Sequence, residues 1–275
     1  RPRAMLGRRA AVSLVRRRAA VLAPAAARPR GFFGGLFGGA PKVPPTDICN
    51  CGADLGVPIP RPDLVLRDGF ERGSPEWLRQ LYGAAVYWHL ASTRGEREAC
   101  EDAWLVRDRD VLEVGCMRGG GARYLAEVAA PRSWLATDIC ETHVAACQEL
   151  HSPWPGLRYE VADARTLDER FEPEAFDVVL GVEAAAGLEG DDFVQFLVVA
   201  ARVLRPGGRL ALCELLDKSQ LTVALNALEY LKFEVEACAD ISSKVDYLGI
   251  CRVTRGDTYV RLVARKPGGS EAAAP

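Results

Sequence analysis

Apolar and polar residues fall in alternating blocks along the second half of this 275-residue chain. Short, nearly continuous apolar runs are followed by stretches in which apolar positions recur every three to four residues, the mark of buried strands and of the helices that cover them. The runs predict strands over 111–114, 134–137, 157–161, 176–182, 209–214, 233–238 and 259–265. Helices are predicted over 122–128, stopped by Pro131, and over 141–150 and 220–231. The clearest helix carries Phe193, Phe196, Leu197, Ala200, Val203 and Leu204 on one face behind the cap candidate Asp191, and Arg205-Pro206-Gly207-Gly208 ends it. Strand–helix alternation of this kind predicts a parallel sheet flanked by helices.

Upstream the pattern changes. Over 74–104, Trp77, Leu81, Ala84, Ala85 and Trp88 recur at helical spacing behind Ser74 and Pro75, an N-cap and first-turn pair, so a helical cover over the main fold is expected. Between 31 and 62 the chain is dense in Gly and Pro and has no sustained period, and 47–73 is read as a linker. Phe32, Phe33 and Phe37 are unusual for a solvated linker; docking on the domain and docking on a protein partner both stay open. The domain proper is expected over 105–267, with a loose tail over 268–275. No apolar run reaches the roughly 20 residues that span a bilayer.

Charge divides the chain. Residues 1–46 hold nine Arg, one Lys and no acid, so the remainder carries 25 basic against 37 acidic residues beneath an overall formal charge of -2. An Arg- and Ala-rich, acid-free N-terminal stretch has the composition of an organellar targeting segment and is expected to be disordered. A basic arm for nucleic acid or anionic lipid is the other reading. The chain opens on Arg1 rather than Met, which leaves further upstream sequence open. An acidic folded part without a basic stripe argues against nucleic acid as a partner. Nine cysteines, several inside strand-like runs, are expected to be reduced, and Cys49-x-Cys51 has no second ligand pair, so no metal site is expected.

Candidate chemistry centres on Val111-Leu-Glu-Val-Gly-Cys-Met-Arg-Gly-Gly-Gly-Ala122. Glycines there let the chain turn tightly and approach a ligand, while the unpaired N–H groups of the following helix face it. Asp138, Asp163 and Glu183 stand after three successive strands, on the side of an open α/β sheet where ligands bind. Asp138 follows Glu113 by 25 residues, near the offset of about 20 at which an acid meets a ribose diol. A nicotinamide fingerprint would need glycine at 117, where the chain has Met117. If the backbone there requires positive φ, Met117 costs energy; if its side chain faces the cleft, it crowds a cofactor.

On Val111-Leu-Glu-Val-Gly-Cys, Ala136-Thr-Asp-Ile, Val161-Ala-Asp-Ala, Phe176-Asp-Val-Val-Leu and Leu204-Arg-Pro-Gly-Gly, the region from about 111 to 267 resembles the class I S-adenosylmethionine-dependent methyltransferases. The Gly-Gly-Gly-Ala helix entry is similar to the sterol, quinone and tocopherol enzymes of that class. The resemblance implies a Rossmann-like α/β fold: a seven-stranded, mostly parallel sheet with helices on both faces and the last strand antiparallel. It implies S-adenosyl-L-methionine as cofactor. Glu113, Gly115 and Cys116 would border its amino-acid end, and Gly119 would let the chain pass closely. Asp138 would hold the ribose hydroxyls and Ile139 would pack on the adenine. Asp163 with Ala164 would meet the adenine edge, and Gly181, Val182 and Glu183 would lie beside the methionine part and the acceptor. It also favours an organelle, plastid ahead of mitochondrion, with the cytoplasm expected if residues 1–46 do not target.

A sulfonium methyl is already activated, so the protein mainly aligns the acceptor and excludes water. A base helps an oxygen or carbon acceptor, and Glu183 and His89 are the candidates, with His143 and His151 expected at the surface. Trp77, Tyr82, Tyr87, Trp88 and Tyr247 would suit a small apolar or ring-bearing acceptor, or else belong to the core. The leading reading is a small-molecule methyltransferase. A degenerate methyltransferase fold serving as an assembly subunit is the alternative, and a protein or nucleic-acid methyltransferase stands third.

Overall fold

A computed structural model describes residues 105–151, 154–184, 188, 190–242 and 257–268, together with Ala84, Val86, Tyr87, Leu90 and Ala91, which are helical. Seven strands form one sheet: β1 (Asp110–Val114), β2 (Ser133–Asp138), β3 (Leu157–Val161), β4 (Phe176–Val182), β5 (Leu204–Asp217), β6 (Glu234–Asp240) and β7 (Asp257–Arg265). Between them run α1 (Gly120–Ala129), α2 (Glu141–His151), the short α3 (Leu167–Arg170), α4 (Asp191–Val203) and α5 (Lys218–Tyr230). The strand order is β3-β2-β1-β4-β5-β7-β6. β1 to β5 pair in parallel, and β7 lies antiparallel between β5 and β6. This is the fold class expected from the sequence.

Strand residues alternate between two cores. Val111, Trp134, Tyr159, Val178, Leu180 and Val263 face one cluster with α1, α2 and the upstream helical residues. Leu112, Val114, Leu135, Val179, Leu210 and Leu262 face the other with α4 and α5. The near-continuous apolar runs are thus explained by strands buried on both sides. The upstream helix docks through Tyr87, whose ring fills the space where a Cβ on Gly121 would come within 2.3 Å of it. Tyr87, expected among the acceptor-pocket aromatics, is therefore a buried core residue.

Local details depart from the sequence expectation. α4 is preceded by Gly190 at φ 50 with no side-chain cap, so Asp191 is the first helical residue and acts through its charge on the helix N-terminus. β5 begins at Leu204: Phe176 pairs with Leu204 and Val178 with Arg209, so Arg205-Pro206-Gly207-Gly208 bulges from the ladder. His151 is buried, its ring tilted against Tyr159 at 5.9 Å between centroids with Nε2 against Arg118 O at 2.8 Å, not at the surface. Helix α3 carried too short a pattern to be foreseen.

Candidate functional site

Strand order reverses between β1 and β4, and the crevice outside the carboxyl ends of such strands is where open α/β sheets bind ligands. The β1–α1 turn enters this crevice. Gly115, Met117 and Gly119 take φ values of 71, 47 and 71 there, all left-handed. The two glycines have different reasons. A Cβ on Gly115 would meet Ala184 at 3.3 Å, holding the turn against the β4 exit, whereas one on Gly119 would strike the Tyr159 ring at 2.5 Å and Cys147 Sγ at 2.9 Å. Gly119 is therefore required by packing under α1, with Tyr159 OH donating to its carbonyl at 3.0 Å, rather than by passage of a ligand.

Met117 adopts the strained conformation foreseen as one of its two costs, and its side chain is 54% exposed. The turn is held from beneath. Cys116 N–H donates to Thr137 O at 3.0 Å, and Cys147 Sγ donates to Met117 O at 3.1 Å. A hydrogen bond to Cys147 and burial push the Cys116 thiol well above its ordinary range, so it is a neutral packing group.

Asp138 ends β2 beside the turn. Its Oδ2 accepts the Met117 N–H and its Oδ1 the Cys140 N–H, both at 2.9 Å, and His143 Nδ1 lies 3.5 Å from Oδ1. A carboxylate has about four acceptor positions, so two stay available for a diol. Ile139, next in the chain, is 62% exposed. Among the described residues four large hydrophobics are exposed, and two of them, Met117 and Ile139, bracket this carboxylate on turn and strand end. An acid between exposed apolar side chains fits a nucleoside whose hydroxyls need acceptors and whose base needs an apolar plate.

The other expected contacts are placed differently. Glu113 is fully buried: Trp134 Nε1 donates to Oε2 at 2.9 Å and Tyr87 OH donates to Oε1. Burial lifts its pKa to about 7 against the lowering effect of those two donors. Glu113 thus ties the upstream helix to β1 and does not present its carboxylate at the crevice. Asp163 lies two residues beyond β3, gripped by Arg165, whose Nε and Nη2 reach it at 3.0 and 2.7 Å and whose Nη1 bridges to Asp192 at 3.0 Å. Ala164 packs on the α4-side core. Gly181 is a packing glycine as well, since a Cβ there would meet Ala184 and Leu212 at 3.2 Å.

Glu183 follows β4, exposed and at φ 53, with its N–H on Cys213 O at 2.9 Å. Tyr259 OH, from β7, donates to its Oε1 at 2.6 Å. The next residue, Ala184, donates its N–H to the buried Glu214 Oε1 at 3.0 Å. Sequence reasoning missed Tyr259 and Glu214. Glu214 was detectable as an acid inside the apolar run Leu210–Leu216, whereas nothing in one sequence pairs Tyr259 with a residue 76 positions earlier. His89, Trp77, Tyr82, Trp88, Tyr247 and the Phe/Gly-rich stretch lie outside the described residues. Among the described residues no three metal-ligating side chains cluster, and no helix is long and apolar enough to cross a membrane.

Comparison with known proteins agrees with this geometry. Residues 111–208 match the family described as a methyltransferase domain. A phthiotriol/phenolphthiotriol dimycocerosates methyltransferase of Mycobacterium leprae is 41% identical over 105 residues, 38% of this chain and 37% of that protein. A fatty-acid O-methyltransferase of Mycolicibacterium smegmatis is 40% identical over 103 residues, 38% of this chain and 36% of that protein. The chain thus spans well under half the length of these relatives. Among solved structures, the 4+2 cyclase SpnF superposes with a TM-score of 0.55 at 17% identity over 73% of this chain and 86% of that one. A geranyl diphosphate methyltransferase in complex with geranyl diphosphate and sinefungin gives 0.53 at 14% identity over 70% of this chain and 81% of that one. By sequence, residues 111–208 are similar to the methyltransferase-domain family, and the fold of the chain is that of these solved structures.

Proposed function

We propose that this chain transfers a methyl group from S-adenosylmethionine to a small, apolar, lipid-like acceptor. The observation that carries the reading is Asp138, held by two backbone N–H groups at the carboxyl end of β2 and bracketed by the exposed Met117 and Ile139. Asp138 accepts the ribose hydroxyls with its remaining acceptor positions, and Ile139 covers one face of the adenine. When bound, the cofactor supplies an activated sulfonium methyl. The chain's own work is then to orient the acceptor, exclude water and receive a proton. In this reading Glu183 performs the last step, which is supported by Tyr259 holding Oε1 and leaving Oε2 to take the proton of an acceptor hydroxyl. The lipid character of the acceptor is supported by the names of the two mycobacterial relatives. A ring-bearing acceptor of the sterol, quinone or tocopherol kind is the finer form of the proposal.

Incubation with methyl-labelled S-adenosylmethionine and a panel of fatty acids, phenolic lipids and water-soluble amines tests this. Label is expected in the apolar products, and Glu183→Gln lowers kcat by about 100-fold or more at unchanged cofactor affinity. Label confined to the amines, or none at all, contradicts it. A second reading, a degenerate methyltransferase fold within an assembly, is favoured by Met117, a non-glycine residue at φ 47 in the central turn; cofactor binding without product on any acceptor supports that reading. The proposal includes an organellar location directed by residues 1–46, plastid ahead of mitochondrion. A fusion of those residues to a fluorescent protein that stays cytosolic overturns it.

A further inference from the structure

The corner where β4 ends is clasped from both faces of the sheet. Glu183 N–H donates to Cys213 O at 2.9 Å, which carries the β4–β5 ladder one residue past the Val182–Cys213 pair. The chain turns through φ 53 at Glu183, and the next N–H, of Ala184, goes to Glu214 Oε1 at 3.0 Å. Glu214 is buried on β5 between Leu212 and Leu216, which lie in the core under α4 and α5, and alternation along the strand puts its carboxylate on that face. Tyr259, also buried, belongs to the core on the opposite face, together with Tyr87 and Leu90. Its hydroxyl reaches Glu183 Oε1 at 2.6 Å.

Tyr259 is itself firmly placed. It pairs with Leu215 on β5, its N–H donates to Ser242 Oγ at 2.9 Å, and its carbonyl accepts the Ile241 N–H at 2.8 Å. Ser242 in turn donates its N–H to Asp240 Oδ1 at 2.8 Å. Positive φ is disfavoured for a glutamate, so the partners of this corner, not the preference of the residue, keep its form. With the main chain bonded on both sides of the turn, Glu183 retains only its side-chain torsions. An exposed glutamate samples several rotamers, and a short, charge-assisted bond from a rigid, buried donor selects one of them.

We propose that Tyr259 is a positioning residue for methyl transfer: from β7 it fixes the Glu183 carboxylate so that Oε2 meets the hydroxyl proton of the acceptor. The proposal rests on the reading of Glu183 as the proton acceptor. In that step the acceptor O–H bond breaks, its oxygen takes the methyl group and its proton stays on Oε2, the electron pair of the broken methyl–sulfur bond remaining with the thioether product. Tyr259 keeps its own proton throughout and acts only through Glu183.

The test is a double-mutant cycle on the full chain, with methyl-labelled S-adenosylmethionine and nonylphenol as the acceptor probe. Tyr259→Phe removes one oxygen atom and keeps the ring. It is expected to lower kcat about tenfold, with the KM values for cofactor and phenol and the melting temperature unchanged. In the Glu183→Gln background the same substitution is expected to change kcat less than about twofold, because the hydroxyl acts through the carboxylate. A loss that persists at full size in the Glu183→Gln protein marks a merely structural role and overturns the proposal, as does full activity of Tyr259→Phe. Undiminished kcat in Glu183→Gln alone refutes the proton-acceptor reading instead. Carbon-13 NMR of glutamate-labelled protein reads the contact without turnover, and so decides where the phenol is not methylated. The Glu183 carboxyl resonance, identified by its loss in Glu183→Gln, is expected to move in Tyr259→Phe at constant pH; an unmoved resonance overturns the proposal. Replacement of Tyr259 by fluorotyrosine, which keeps ring and hydroxyl, gives the same reading if Tyr259→Phe does not fold.

Discussion

At the amino-terminal ends of β1, β2 and β4, Arg205 Nη1 reaches Asp110 and Asp177 at 2.9 Å each, and Arg132 adds 2.8 Å to Asp110. At the carboxyl-terminal ends of the same strands, Met117 and Glu183 take left-handed φ values of 47 and 53, and Met117 and Ile139 expose apolar surface. One end is a closed charge network whose approaches also turn through left-handed residues, Asp108, Ala130 and Glu174 at φ 55, 47 and 59. The other holds strain and solvent-facing apolar groups, which cost free energy that packing elsewhere must offset. Left-handed residues occur at both ends, so the difference that locates the site is the exposed apolar surface of Met117 and Ile139, which persists where a ligand is to be received.

Asp138→Ala is expected to break the comparison most. It removes the diol acceptor and releases the Met117 and Cys140 N–H groups, so S-adenosylmethionine affinity falls on the order of 100-fold, a loss of about 3 kcal/mol. Calorimetry on the variant checks this, and unchanged affinity refutes the ribose assignment.

Glu113 gives an effect of similar size in stability rather than binding. Its folded pKa of about 7 lies above the ordinary 4.5, so the folded state holds the proton more tightly than the unfolded chain. The associated stabilisation is complete below about pH 4.5 and is lost as pH rises through 7, on the order of 3 kcal/mol in all. Denaturant melts of Glu113→Gln from pH 5 to 8 are expected to lack this decline; identical slopes in both proteins contradict the buried, protonated carboxyl.

Arg205→Ala probes the closed end. Burial raises Asp110 and Asp177, but donors outweigh it: the Ser133 hydroxyl and Arg205 on Asp110, the Asp110 N–H and Arg205 on Asp177. Both pKa values fall below the ordinary 3.8. The depressed values contribute stability above that range that is lost as pH falls through them. For partly exposed pairs the expected cost of Arg205→Ala is about 1 kcal/mol at pH 7, with a shallower acid-side decline. Acid-titrated melts that superimpose on the wild type overturn that account. Met117→Gly gives the smallest effect: relief of a left-handed side chain against added unfolded-state entropy leaves a gain of at most about 1 kcal/mol. A loss of stability there shows that the turn depends on the Met117 side chain.

The same contrast explains what the sequence made legible. Strands buried on both faces announce themselves as apolar runs, which placed β1 to β5 and β7, while the run at 233–238 fell on the mostly exposed edge strand β6; Asp138 and Glu183 drew attention because they end or follow such runs. Tertiary pairing left no local mark. Glu113 reads as a cofactor contact until Tyr87 and Trp134 arrive from distant segments, and Gly119 and Gly181 read as ligand-clearing glycines until Tyr159, Ala184 and Leu212 occupy the space. Arg165 gripping Asp163 is local, two residues away, but its bridge to Asp192 depends on where α4 packs.

The central claim is that the strained carboxyl-end turn and Asp138 form a nucleoside site. Calorimetric titration of the wild-type chain with S-adenosylmethionine tests it most directly. Saturable binding at one site per chain, competed by S-adenosylhomocysteine, is the predicted result; absence of binding by the folded protein contradicts it.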